Sequence, residues 1–257
     1  MKRVQTEDGT VTLYNESYRE LYHSKGGAVE EAIKKYIEPC RIRELAESRA
    51  ASGKLRILDI CFGIGYNAVA AIDAALSSGC EIEVISLELD RGVLKEIISL
   101  EPPLKSYGLA KSVVKRCLAQ QKQASARSGN ALLSLRLGDA RKTVQRLPGT
   151  FDAVFLDPFS VPKNPELWSK DFFEAIGRLM TDSAVLATYS CAHIVRAGLV
   201  NTGFSITNGP ELEKRRPCTL ASRTPFKDDI SEKYRIQHYI SDPGLDASTE
   251  ELKKQLW

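Results

Sequence analysis

Four carboxylates stand at equivalent places in this chain: Asp59, Glu88, Asp139 and Asp157. Each closes or directly follows an apolar run that reads as a buried strand: 55–58, 82–87, 132–137 and 152–156. Acids at the carboxyl ends of consecutive parallel strands line one crevice, where open α/β sheets take their ligands. After the first acid comes the turn Cys61-Phe62-Gly63-Ile64-Gly65-Tyr66-Asn67-Ala68. Gly63 and Gly65 allow a sharp turn and a close approach by a ligand. A helix starting near Tyr66 aims its N-terminal amides into the same crevice.

The turn alone does not choose the ligand. It matches G-x-G-x-x-A, and Glu88 follows Gly65 by 23 residues (88 − 65), which also satisfies a dinucleotide fingerprint. Three features tip the balance: Asp59 before the turn, Gly138-Asp139 ending the third strand, and Leu156-Asp157-Pro158-Phe159 ending the fourth. An acid just before the turn disfavours a pyrophosphate and suits the ammonium and sulfonium of S-adenosyl-L-methionine (SAM). Glu88 is then placed for ribose hydroxyls, Asp139 for the adenine amino group, and Asp157 beside the reacting methyl.

These residues need a scaffold, and the pattern supplies one. Strand and helix signals alternate from Leu55 onward, with strands at 82–88, 132–137, 152–157 and 184–189. Residues 103–123 read as a basic helical stretch and 125–130 as a loop. The last two strands, 203–207 and 218–222, have no full helix between them and predict an antiparallel edge hairpin. The expected fold is α/β: a Rossmann-like class I SAM-dependent methyltransferase with a mostly parallel seven-stranded sheet. Residues 1–52 form an N-terminal cap, with a hairpin at 5–15 around Asp8-Gly9 and helices near 28–38 and 40–50. Residues 53–225 form the core, with a basic helical insertion at about 103–130. Residues 226–257 form a tail with a closing helix near 248–256.

Composition sets the outer bounds. Hydrophobic residues are 43% and charged residues 27% of 257, ordinary for a globular protein. No apolar run approaches the length of a membrane span, and the N-terminus has no secretory pattern, so a cytoplasmic protein is expected. Cys40, Cys61, Cys80, Cys117, Cys191 and Cys218 are scattered, with no zinc spacing; they read as reduced thiols, and no metal is expected. The net charge is only +3, but Lys105, Lys111, Lys115, Arg116, Lys122 and Arg127 lie in a stretch without acids, and Lys214-Arg215-Arg216 follows later. Such clusters form a footprint for a polyanion.

Several motifs together resemble one family. They are Thr6-x-Asp8-Gly9-Thr10, Tyr22-His23-Ser24 with Gly27-Ala28, Phe62-Gly63-x-Gly65-x-Asn67, and Phe155-Leu156-Asp157-Pro158-Phe159 followed by Pro162-Lys163-Asn164-Pro165-Glu166-Leu167-Trp168. With Ala187-Thr188-Tyr189 and Lys214-Arg215, they resemble the MnmC-type methyltransferases over roughly residues 5–223. These enzymes use SAM to methylate the aminomethyl group on the wobble uridine of tRNA. Bifunctional members add an FAD-dependent oxidase domain, for which this chain has no room; it resembles the stand-alone form. Cys61 stands where many SAM enzymes have Gly.

The resemblance implies Asp157 as the catalytic residue that holds the acceptor amine. It implies SAM contacts from Ser24, Gly26 and Gly27 of the cap, with Asp59, Gly63, Gly65, Asn67, Glu88 and Asp139. A wobble base must leave its stack to reach a buried methyl, and Phe159, Trp168 and Tyr189 are candidates to stack on it, Trp168 first. Asn164 is placed to read a base edge, and Lys163, Lys214 and Arg215 to meet the RNA. His23 is a candidate for the border of the site, His193 a weaker one. The alternatives are a spermidine synthase-like aminopropyltransferase, a non-catalytic RNA- or SAM-binding module, and an NAD-dependent oxidoreductase.

Overall fold

The computed structural model describes residues 1–50, 53–120, 122–211 and 217–256. Its centre is a run of five parallel strands: β4 (Lys54–Ile60), β5 (Glu81–Glu88), β7 (Ala131–Leu137), β8 (Phe151–Leu156) and β9 (Met180–Thr188). β4 lies in the middle, with Ile57 opposite Val84 on one side and Ala153 on the other. β10 (Ser205–Asn208) and β11 (Thr219–Ser222) form the expected antiparallel pair, and β11 inserts between β9 and β10. The full order is β10-β11-β9-β8-β4-β5-β7-β6.

The eighth strand, β6 (Gln123–Ser128), departs from the sequence reading, which assigned this stretch to a helix end and a loop. It pairs antiparallel with β7, Ser128 opposite Ala131, across Gly129-Asn130. Gly129 supplies φ +54, as a two-residue hairpin turn requires. Ala124 and Ala126 face inward and the polar residues outward. Alternation built on alanine carries little strand signal.

The strands alternate their side chains between two faces. Leu55 and Ile57 of β4 join the core under α1 (Ala28–Ala32), α2 (Ile42–Ser48), α3 (Tyr66–Ala75), α4 (Arg91–Ile97) and α5 (Tyr107–Gln120). Leu58 and Ile60 join the core under α6 (Ala140–Val144), α7 (Lys170–Gly177) and α8 (His193–Asn201). The segment after Phe226 also packs there: Tyr234, Ile240, Leu245 and Leu252 are buried. Its last helix, α9 (Thr249–Lys253), starts in a capping box of Ser248 and Glu251.

The cap carries β1 (Lys2–Gln5), β2 (Val11–Asn15) and β3 (Glu20–Leu21) as a small antiparallel sheet. The helix expected from Ala28 is α1 followed directly by a π-helical turn, Ile33–Ile37. Tyr36 in that turn packs edge-on against Phe155 of β8.

Candidate active site

The carboxyl ends of β4, β5, β7 and β8 border one cavity of about 1310 Å³. The turn after β4 forms its floor. Cys61 sits at φ +72, a left-handed conformation rare for a residue with a Cβ, and Gly63 and Gly65 follow at +56 and +83. That backbone explains why glycine suits position 61. The Phe62 amide donates to the Leu87 carbonyl at 2.9 Å, tying the turn to the end of β5.

Glu88 binds the turn more directly. Its carboxylate accepts from the amides of Gly63 (2.8 Å), Leu89 (2.8 Å) and Asp90 (2.7 Å). Burial pushes its pKa up to about 7, against the pull of those amides. Asp139 accepts from the Arg141 amide at 2.9 Å and so caps α6. The Arg141 guanidinium pairs with Asp139 at 2.8 Å and with Asp242 at 3.1 Å, and donates to the Ala247 carbonyl at 2.8 Å. The C-terminal segment is thereby fastened to the cavity wall.

Asp157 follows β8 and is partly open to the cavity. Its Oδ2 accepts from Asn67 Nδ2 at 2.8 Å. The buried Tyr36 hydroxyl faces the carboxylate without a hydrogen bond of normal geometry. Burial raises the Asp157 pKa to about 6; the nearby Tyr36 hydroxyl opposes the rise most, Glu31 adds to it, and Asn67 and Lys35 oppose it further. A carboxylate titrating there can take a proton from an ammonium group near neutral pH. Glu31 and Lys35, one turn apart in the cap, form a buried ion pair at the cavity wall. Glu31 also accepts from the Ser24 amide at 2.7 Å.

The cap covers the cavity through residues 15–24. Glu20 accepts from the Ser160 amide at 3.0 Å and from its hydroxyl. The Tyr18 ring stacks on Phe159 with centroids 4.4 Å apart, and Tyr22 meets Phe159 edge-on at 5.0 Å. Seven acids line the cavity (Glu20, Glu31, Glu88, Asp90, Asp139, Asp157, Glu166) against Lys25, Lys35 and Arg141. That excess favours a cationic ligand.

The cavity gathers Ser24, Gly63, Asn67, Glu88, Asp139, Asp157, Phe159 and Asn164 of the expected residues, together with His23 and Tyr189. Burial lowers the His23 pKa to about 4, so this ring is neutral at pH 7. Other expectations need correction. Asp59 is fully buried and does not line the cavity. β4 runs on to Ile60, so Asp59 lies inside the strand, and it accepts from its cross-strand partner Ser86 at 2.8 Å. Trp168 is also fully buried; its Nε1 donates to the Phe159 carbonyl at 2.8 Å, and no base can stack on it. Gly65 starts α3 outside the lining, where a Cβ would strike the Phe62 ring at 2.7 Å. Gly26 and Gly27 lie outside it too; at Gly27 a Cβ would crowd the Asp8 carboxylate at 2.7 Å. Lys163 is not in the lining, and His193 packs against Tyr234. Lys214 and Arg215 lie outside the described residues.

Sequence reasoning missed Tyr18, Glu20, Glu31, Lys35 and Arg141. The Glu31/Lys35 pair left a signal: two charges at i, i+4 beside the apolar stripe of Ala28, Ala32 and Tyr36.

The donor set fits SAM. The glycine turn leaves room for a close ligand, the acidic lining suits a sulfonium and an ammonium, and Glu88 and Asp139 stand at successive strand ends. The family of S-adenosyl-L-methionine-dependent methyltransferases called Methyltransf_30 matches residues 105–224. The crystal structure of MnmC2 from Aquifex aeolicus superposes with a TM-score of 0.84 at 30% identity, over 99% of this chain and 83% of that one. The chain belongs to the MnmC-type methyltransferases. It is 35% identical to an uncharacterized protein of Methanocaldococcus jannaschii, over 98% of this chain and 69% of the relative. It is 30% identical over 203 residues to the tRNA 5-methylaminomethyl-2-thiouridine biosynthesis bifunctional protein MnmC of Ectopseudomonas mendocina, covering 74% of this chain and 30% of that protein. The chain thus spans about a third of the bifunctional MnmC protein. As an MnmC-type enzyme it is a SAM-dependent methyltransferase, with a class I fold extended by β6. No helix among the described residues is long and apolar enough to cross a membrane.

Proposed function

We propose that this enzyme methylates the nitrogen of an aminomethyl group on the wobble uridine of a tRNA. The observation that carries the reading is Asp157: a carboxylate at the cavity edge, held by Asn67, with its pKa raised to about 6. The likeness to a tRNA 5-methylaminomethyl-2-thiouridine biosynthesis protein supports the substrate. The exposed basic side chains of the α5–β6 region support an RNA partner. Lys111 and Arg127 are engaged by Glu101 and Glu81, whereas Lys105, Lys115 and Lys122 are exposed.

SAM supplies an electrophilic methyl on a sulfonium. Ser24, Gly63, Glu88 and Asp139 are the residues on the cavity wall that would hold it. The acceptor enters as an ammonium, which the acidic lining attracts. Asp157 takes one proton and leaves a neutral amine. The N–C bond then forms as the S–C bond breaks, and the positive charge passes from sulfur to the methylated nitrogen among the other acids of the lining. Holding the amine in line supplies much of the rate. The test is mass spectrometry of tRNA nucleosides before and after incubation with the protein and SAM. A gain of one methyl on an aminomethyluridine is expected; no change in any nucleoside overturns the reading.

A further inference from the structure

Phe159 lies two residues beyond Asp157, and its ring borders the same cavity. Tyr18 of the cap lies almost parallel to it, with an interplanar angle of 23°. Both rings present faces rather than edges to each other. Trp168, the aromatic that the motif favoured, is sealed in the core.

The turn that carries Tyr18 is anchored at both ends. Asn15 Oδ1 accepts from the amides of Ser17 (3.0 Å) and Tyr18 (3.2 Å). Asn15 Nδ2 and the Tyr22 hydroxyl both donate to Asp90, at 3.3 and 3.4 Å, on the cofactor side. Glu20 holds Ser160 on the acceptor side. Between these anchors Tyr18 meets Phe159 through ring contact alone. A planar ligand enters between the two rings by widening this contact about one ring thickness.

We infer that Tyr18 and Phe159 form a stacking clamp that takes a flipped pyrimidine between them and delivers its substituent to Asp157. This rests on the proposed tRNA substrate. The amine is one carbon from the ring, so the base must sit beside Asp157, where Phe159 is. Stacking accepts any base by its π-face, so the clamp positions the ring while Asp157 selects the amine. The two rings cover each other's apolar faces.

Steady-state methylation of tRNA decides the matter, measured for the wild type, Tyr18→Leu and Tyr18→Phe, with SAM affinity measured by calorimetry. For Tyr18→Leu the KM for tRNA rises about tenfold or more, SAM affinity stays within about threefold, and Tyr18→Phe behaves as the wild type. An unchanged KM in Tyr18→Leu overturns the clamp. So does equal damage in Tyr18→Phe, which would assign the effect to the hydroxyl, or an equal loss of SAM affinity, which would make Tyr18 structural. A wild-type enzyme that transfers no methyl to tRNA overturns the substrate reading and the clamp together; wild-type transfer with an indifferent Tyr18→Leu overturns the clamp alone.

Discussion

The Asn67 amide nitrogen donates to the Asp157 carboxylate at 2.8 Å, joining the first turn of α3 to the end of β8. A carboxylate only accepts, so this bond fixes which way the amide faces. Asn67 Oδ1 then points into a buried region without a partner. The residue that the glycine motif assigns to SAM is thus committed to the candidate acceptor carboxylate. Asn67→Ala removes a hydrogen bond to a charged group, worth about 1.5–3 kcal/mol. The expected outcome is a loss in kcat of about 10- to 150-fold, with SAM affinity within about threefold. Single-turnover rates and calorimetry check it; a main effect on SAM binding would return Asn67 to the cofactor.

Asp157 also sets a pH limb. Its pKa is raised to about 6, chiefly by burial, so the reactive carboxylate disappears as the pH falls through 6. kcat/KM for the acceptor should rise tenfold per pH unit below that point and level off above about 7. Without its Asn67 donor the ionised form is less favoured, so in Asn67→Ala the limb moves to higher pH. In Asp157→Asn the limb vanishes with most of the turnover. A flat profile from pH 5 to 8 in the wild type would remove Asp157 from the proton transfer.

Trp168 and Phe159 separate a structural aromatic from a functional one. Trp168 fills the core against Tyr189, with ring centroids 6.1 Å apart, and supports the acceptor loop through the Phe159 carbonyl. Trp168→Ala should cost about 3–5 kcal/mol of stability, as large core truncations do. Trp168→Phe should lower the melting temperature and leave the KM for tRNA nearly unchanged. Phe159→Leu should do the reverse. Thermal melts and KM values on the same preparations distinguish them.

The parallel core and its crevice were legible because the apolar runs, the glycine turn and the strand-end acids are local signals. What failed was what depends on distant parts of the chain. Asp59 looks like a strand-end acid until β4 is seen to continue to Ile60, which turns the side chain onto the sheet face. Trp168 sits in a recognisable motif, but a motif does not report burial. β6 hides because alanine alternation is faint, although Gly129-Asn130 is a hairpin turn dipeptide that could have revealed it. Glu20 meets Ser160 across 140 residues of chain, and no local pattern joins them. The lid over the site was therefore out of reach, while the floor was not.

Asp59 carries a prediction of opposite sign to the others. It is fully buried, with Oδ1 unpartnered and Ser86 its one donor among the described residues. Burial, reinforced by the charges of Asp157 and Glu88, raises its pKa from 3.8 to about 7. Below 3.8 the carboxyl is protonated in both folded and unfolded chains, and nothing is lost. Between 3.8 and 7 the unfolded chain ionises first, so the folded state loses stability as the pH rises. Above 7 the loss is complete, on the order of a few kcal/mol. Asp59→Asn keeps an acceptor for Ser86 and removes the charge. It should raise the melting temperature at pH 8, raise it less at pH 5, and leave SAM affinity within about threefold. Urea titrations at the two pH values check the sign, and a variant that is less stable at pH 8 and has lost SAM binding would restore Asp59 to the cofactor site.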